Sequence, residues 1–214
     1  MDDGRLKAAH ASLVRVVISG SPVPEGSTGA RRAGLGFVVD PSGYVVTSEQ
    51  LVRGARSVEV ELAGGQRLPA ALILRDRLFD VAILKVDAMA LPHVALGQSG
   101  ALKVGEPVVA IGRPQGGDGG ETLLRVTSNG GATGGSLATD APIPSRAVGG
   151  PVVNSDGQAV GIATTSEHQG RRGDHGVGYA VPIDRVKPIL RDLRSNLVPA
   201  PSRPQAPGPD VSPR

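Results

Sequence analysis

Short runs of β-branched and aliphatic residues, each closed by glycine, proline, aspartate or asparagine, repeat from one end of this chain to the other. That punctuation leaves few architectures open. One series comprises 12–19 (SLVRVVIS), 34–40, 44–48, 57–62, 68–76 and 81–86. After a break at LPHVALGQSG a second comprises 107–112, 122–130, 136–140, 151–155, 159–166 and 177–182. VDPSGYV and VNSDGQAV place glycine where a hairpin turn needs positive φ. Six strands, a break and six more predict an all-β chain of two six-stranded antiparallel barrels, although periodicity alone also allows one large sandwich. The expected organisation is a barrel over 1–90, a second over 91–182, a helix over 183–197 and a tail over 198–214. The helix rests on Val186, Ile189, Leu190 and Leu193 sharing one face, with Asp184 as its cap and Pro188 in its first turns. The proline-rich tail, with PxxP spacing at Pro201, Pro204 and Pro207, has too little apolar surface to order itself.

With 214 residues and no cysteine, the chain can bury real cores but uses neither disulfides nor thiolate metal sites. Its net charge of +3 comes from scattered arginines, and the aromatics are only Phe37, Tyr44, Phe79 and Tyr179. A nucleic-acid surface needs concentrated charge and stacking rings, so no nucleic-acid partner is expected. No apolar run reaches the length of a membrane span. The acidic start at Met1 and the interruption at Arg15 do not resemble a secretory leader, which implies a cytoplasmic protein if Met1 is the native start. The glycine clusters at 116–120 and 130–135 lack the Lys-Ser/Thr of a phosphate loop. His168, His175, Glu167 and Asp174 have no metal-ligand spacing, so neither metal nor cofactor is expected.

Five segments, in one order, resemble the trypsin-like serine proteases of the Deg/HtrA type. They are GLGFVVDPSGYVVT (34–47), RDRLFDVAILKV (75–86), LGQSGALKVGEPVVAIGRPQG (96–116), TDAPIPSRAVGGPVVNSDGQAVGIAT (139–164) and GVGYAVPIDRVKPIL (176–190). The resemblance covers about residues 10–194 and implies the double β-barrel of that family. It also implies a place for each catalytic group. The histidine position, after the Gly-Tyr-x-x-Thr hairpin, holds Gln50; the aspartate position holds Asp80; the serine position, before Gly149-Gly150-Pro151, holds Val148. The oxyanion-hole positions correspond to Arg146, where the family has glycine, and Val148. Gly149, Thr164 and Thr165 fall where the family's peptide cleft lies.

Valine has no atom that can attack a carbonyl, and a glutamine amide has no usable basicity. Loss of either the serine or the histidine costs a serine hydrolase about 10⁶ in turnover. Asp80 then reads as a buried carboxylate hydrogen-bonded to backbone or to the Gln50 amide. Ser145 and Ser48 are the nearest substitute hydroxyls, but His10, His93, His168 and His175 all lie outside the matched catalytic segments. The expected function is that of an inactive protease homologue binding a peptide or protein. The alternatives are an active serine endopeptidase with a rearranged site, or a structural subunit pairing with an active homologue. No PDZ-type domain follows the helix within these residues. Residues 1–33 contain no aromatic, so the family's aromatic trimer contact is not expected.

Overall fold

The computed structural model describes residues 3–20, 32–114, 120–130, 135–164 and 176–195. The tail and its PxxP motif, the candidate metal cluster at 167–175, and Thr165 lie outside them.

The first barrel comprises β1 (Leu13–Ser19), β2 (Arg32–Asp40), β3 (Tyr44–Thr47), β4 (Ser57–Glu61), β5 (Arg67–Asp76) and β6 (Val81–Val86). It closes in the order β1-β2-β3-β6-β5-β4. The second comprises β7 (Pro107–Ile111), β8 (Glu121–Asn129), β9 (Leu137–Thr139), β10 (Pro151–Val153), β11 (Ala159–Thr164) and β12 (Gly178–Pro182). It closes as β10-β11-β12-β9-β8-β7. Every pairing between these strands is antiparallel, and each barrel closes on itself among the described residues. The two-barrel prediction is therefore the observed architecture, and the single sandwich is excluded.

The continuous apolar runs follow from burial on both faces. Along β6, Ala82, Leu84 and Val86 fill the first barrel while Val81 and Ile83 face a seam between the barrels. Phe37 and Val39 on β2, and Tyr44 and Val46 on β3, join that seam, whereas Val38 and Val45 point inward. In the second barrel Val108 and Ala110 are interior, and Val109 and Ile111 are seam. The period-2 alternation of a strand thus sorts one set of residues into two cores. The segment between the barrels is stitched to both: Val94 N–H donates to Val38 C=O, and Ala159 N–H donates to Ala95 C=O.

Two helices depart from the sequence expectation. Residues Asp3–Ser12 form α1, which no periodicity announced. Its buried positions are Leu6, Ala9 and Ser12, each three residues apart, and Leu6 and Ala9 pack into the seam core. Arg5 donates to Ser155 C=O and pairs with Asp156 on the second barrel, and the Ser12 hydroxyl closes the helix on Ala9 C=O. A one-turn helix, α2 (Glu49–Val52), follows β3. The expected C-terminal helix exists as α3 (Val186–Ser195), with Val186 and Leu190 buried and Pro188 in its first turn. Asp184, however, lies in the 3₁₀ turn Ile183–Arg185 before it. Its carboxylate accepts from Gly100 N–H at 2.8 Å and from Lys187 at 3.1 Å, tying the helix start to the turn at 99–101 rather than simply capping it.

Candidate functional site

Asp80 lies where the two barrels meet, bonded to side chains of each. The loop that delivers it is set by Asp76, whose Oδ1 accepts from the N–H groups of Leu78 and Phe79. Asp80 itself is buried and sits at φ +54, a left-handed conformation uncommon for a residue with a side chain. Such strain persists only when surrounding contacts hold it. Here they do. Ser48 Oγ donates to the carboxylate, 2.8 Å from Oδ1 and 2.9 Å from Oδ2. Gln50 N–H donates to Oδ1 at 2.9 Å, and Thr164 Oγ1–H donates to Oδ2 at 2.5 Å.

These donors come from both barrels. Ser48 and Gln50 belong to the β3–α2 junction, and Thr164 ends β11. Ser48 occupies the N-cap of α2 yet makes no side-chain cap bond, because its hydroxyl is turned to Asp80. Of the sequence alternatives for Asp80, the structure shows a bond from the Gln50 backbone N–H, joined by two hydroxyls. Neither hydroxyl had been assigned to Asp80 from sequence. Ser48 was visible only as a substitute nucleophile and Thr164 only as a cleft position.

The facing loop comes from the second barrel. Ser145–Ala147 form a 3₁₀ turn, and Val148, half-buried, follows it in extended conformation. Val148 N–H donates to Ser145 C=O at 3.2 Å, and Gly150 N–H donates to Ala147 C=O at 2.8 Å. Gly149 has φ +85, and a Cβ there would lie 2.2 Å from Leu35 C=O. Only glycine lets this loop dock so closely on β2. The same Cβ would lie 3.3 Å from Thr47 Oγ1, so the glycine loop meets the β3–α2 junction. Hydrogen bonds thus join Gln50 and Thr164 to Asp80, while Gly149, next to Val148, docks on β2 beside the β3–α2 junction.

The chemistry available there is limited. Oxyanion stabilisation needs N–H groups aimed at the developing charge. The Val148 amide is instead spent on Ser145 C=O. Arg146 adopts ordinary 3₁₀ geometry, its guanidinium reaching Thr122 Oγ1 at 3.4 Å and its carbonyl accepting from Arg113 N–H. His10 pairs with Glu121 at 2.7 Å and His93 contacts Leu91 C=O, while His168 and His175 lie outside the described residues. Among the described residues no group of three or more His, Asp or Glu side chains is arranged to hold a metal.

Glu49, adjacent to Gln50, has no counterpart in the sequence reading. Its side chain is fully buried beside Arg53, Arg75 and Arg77. The Glu49–Arg53 spacing of four was the only available signal.

Comparison with known proteins agrees with the architecture. Residues 34–162 match the trypsin-like peptidase domain. The chain is 37% identical over 185 residues to a probable periplasmic serine endoprotease, DegP-like, from Halomonas elongata, covering 82% of this chain and 39% of the relative. Similar proteins of that name occur in Pseudomonas savastanoi pv. phaseolicola (35% over 195 residues; 86% and 40% covered) and Hahella chejuensis (38% over 171 residues; 77% and 36%). The chain spans about two fifths of the length of these relatives. Their names are periplasmic, which overturns the cytoplasmic expectation. Residues 3–19 form α1 and β1, so their composition reflects folding and is no guide to the compartment. No helix among the described residues is long and apolar enough to cross a membrane.

Proposed function

The chain belongs to the trypsin-like peptidase family, in its Deg/HtrA branch, and we propose that within it this protein is a catalytically inactive homologue that binds peptide or protein segments. The observation that carries this reading is that valine and glutamine, Val148 and Gln50, stand at the matched serine and histidine positions while Asp80 is engaged by Ser48, Thr164 and the Gln50 N–H. A triad aspartate works by orienting a histidine and stabilising its charged form. Asp80 has no histidine at the matched position, and its donors are two hydroxyls and a backbone amide. With the Val148 amide committed to Ser145, the residual rate that a hole and a cleft alone supply, roughly 10³–10⁴ over water, also lacks support. Peptide binding draws on a different property: an extended segment can add to a strand by main-chain hydrogen bonds, which need no triad. The relatives' names support a periplasmic setting.

The names of those relatives also favour a second reading, an active serine endopeptidase using Ser145, which is exposed on the 3₁₀ turn. A fluorophosphonate probe and a fluorogenic casein assay separate the two. The expected result is no labelling and no hydrolysis, with hydrolysis regained in the combined Gln50→His, Val148→Ser, Arg146→Gly variant. Labelling of the unaltered protein that disappears in Ser145→Ala would establish the endopeptidase instead.

A further inference from the structure

Arginines are concentrated beside α2 in a way the crevice does not use. Glu49 Oε2 accepts from Arg53 Nε at 3.0 Å and from Arg53 Nη2 at 2.5 Å. Its Oε1 is buried and accepts no hydrogen bond among the described residues. That oxygen faces Arg77 Nε at 3.5 Å and Arg75 Nε at 3.7 Å. Because the two guanidiniums approach Glu49 through Nε, their terminal Nη edges remain for other acceptors, and both side chains are substantially exposed. Between them lies a 490 Å³ depression lined by Leu74, Arg75, Asp76 and Arg77.

The charges do not balance. Asp76 is held by the Leu78 and Phe79 amides, and the Arg185 guanidinium faces it. Glu49 is thus a single buried carboxylate answering three guanidiniums. It fixes Arg75 and Arg77 in place while leaving most of their charge unspent, and a planar guanidinium so held is prepared for bidentate recognition. We propose that Arg75 and Arg77, anchored by buried Glu49, form a recognition site for the carboxylates of an acidic, extended peptide or protein segment. Phosphate sites typically add converging backbone N–H groups, but the two such groups in this loop, Leu78 and Phe79, are consumed by Asp76. Two forks spaced two residues apart also match carboxylates on alternate residues of an extended chain. The site lies outside the Asp80 hydrogen-bond cluster and stands whether or not the crevice hydrolyses or binds peptide.

The test is fluorescence anisotropy with labelled hexaglutamate and hexalysine on the whole chain. Hexaglutamate binds and hexalysine does not, with affinity falling as salt rises from about 50 to 200 mM through screening. The Arg75→Ala, Arg77→Ala double variant loses at least about tenfold, whereas Arg67→Ala, Arg125→Ala, which removes two arginines elsewhere, does not. Arg75→Lys, Arg77→Lys keeps Glu49 neutralised should the alanine pair fail to fold; it keeps the charge but loses the forks, and also weakens binding. Equal affinity in the lysine pair, equal loss in the remote pair, or inorganic phosphate competing as well as the peptide would each overturn the proposal. An extended neutral peptide whose binding ignores Arg75 and Arg77 reports on the crevice reading alone.

Discussion

Asp80 is held by contacts that bear on folding whatever the chemistry of the site. Its carboxylate accepts three donors, one a hydroxyl from the opposite barrel, and its φ of +54 is tolerated because those bonds fix it. Hydrogen bonds to a charged acceptor contribute about 1.5–3 kcal/mol each, and an unpaired buried partner costs a similar amount. Asp80→Asn replaces an acceptor oxygen with an NH₂ that must face a donor. The expected loss is about 2–3 kcal/mol, a fall in Tm of roughly 5–10 °C for a domain of this size, measured by thermal denaturation. A purely catalytic aspartate would leave Tm unchanged. At this scale the sequence was informative about identity and poor about partners. Gly149-Gly150-Pro151 sets the register for Val148, and the Gly-Tyr-x-x-Thr hairpin sets it for Gln50, both as the family resemblance implies. Ser48 and Thr164 could not be assigned, because hydroxyls are frequent and only the fold selects the two that reach Asp80.

At the scale of elements, two carboxylates anchor α3, Asp40 to β2 and Asp184 to the turn at 99–101. Burial pushes the Asp40 carboxyl up, but hydrogen bonds from the Ser42 hydroxyl and amide, together with the Arg194 guanidinium of α3, hold it below the usual range. Asp184 behaves alike: burial raises it, and the Gly100 amide, Lys187 and Ser99 bring it below the usual carboxylate value. A folded-state pKa below the unfolded one means the unfolded chain binds protons more readily. The stabilisation is therefore complete above the unfolded value of about 3.9 and is lost as pH falls through the folded one. Urea midpoints should fall between about pH 5 and pH 3, and the Asp40→Asn, Asp184→Asn double variant should show a shallower fall over that interval. An unchanged slope would mean these contacts do not couple to folding. Strands were legible because twelve β-branched and aliphatic runs are each closed by turn residues, and several, such as β3 and β11, are apolar throughout because both faces are buried. Helix α1 was not, because only two of its buried positions, Leu6 and Ala9, are apolar and its order comes from the barrel surface beneath it.

Across the whole molecule, the seam decides whether two barrels behave as two units. Phe37, Val46, Ile83, Ile111 and Ile162 belong to a core contributed by both, and α1 packs into that core while Arg5 reaches the second barrel. The Asp80–Thr164 bond crosses the same boundary. Unfolding either barrel alone would expose its half of a shared apolar surface and leave Asp80 with a missing donor. The cost of both exceeds what a small barrel retains as net stability, typically about 5–15 kcal/mol for a whole protein, so neither should persist without the other. Calorimetry should show one transition. Phe37→Ala, which opens a cavity in the seam, should cost about 3–5 kcal/mol and shift that transition while keeping it single. Two resolved peaks, with only the first-barrel peak moved, would mean that the seam is a contact between independent domains. The inter-barrel crevice would then have no fixed geometry, and any ligand that spans it would have to supply the order itself.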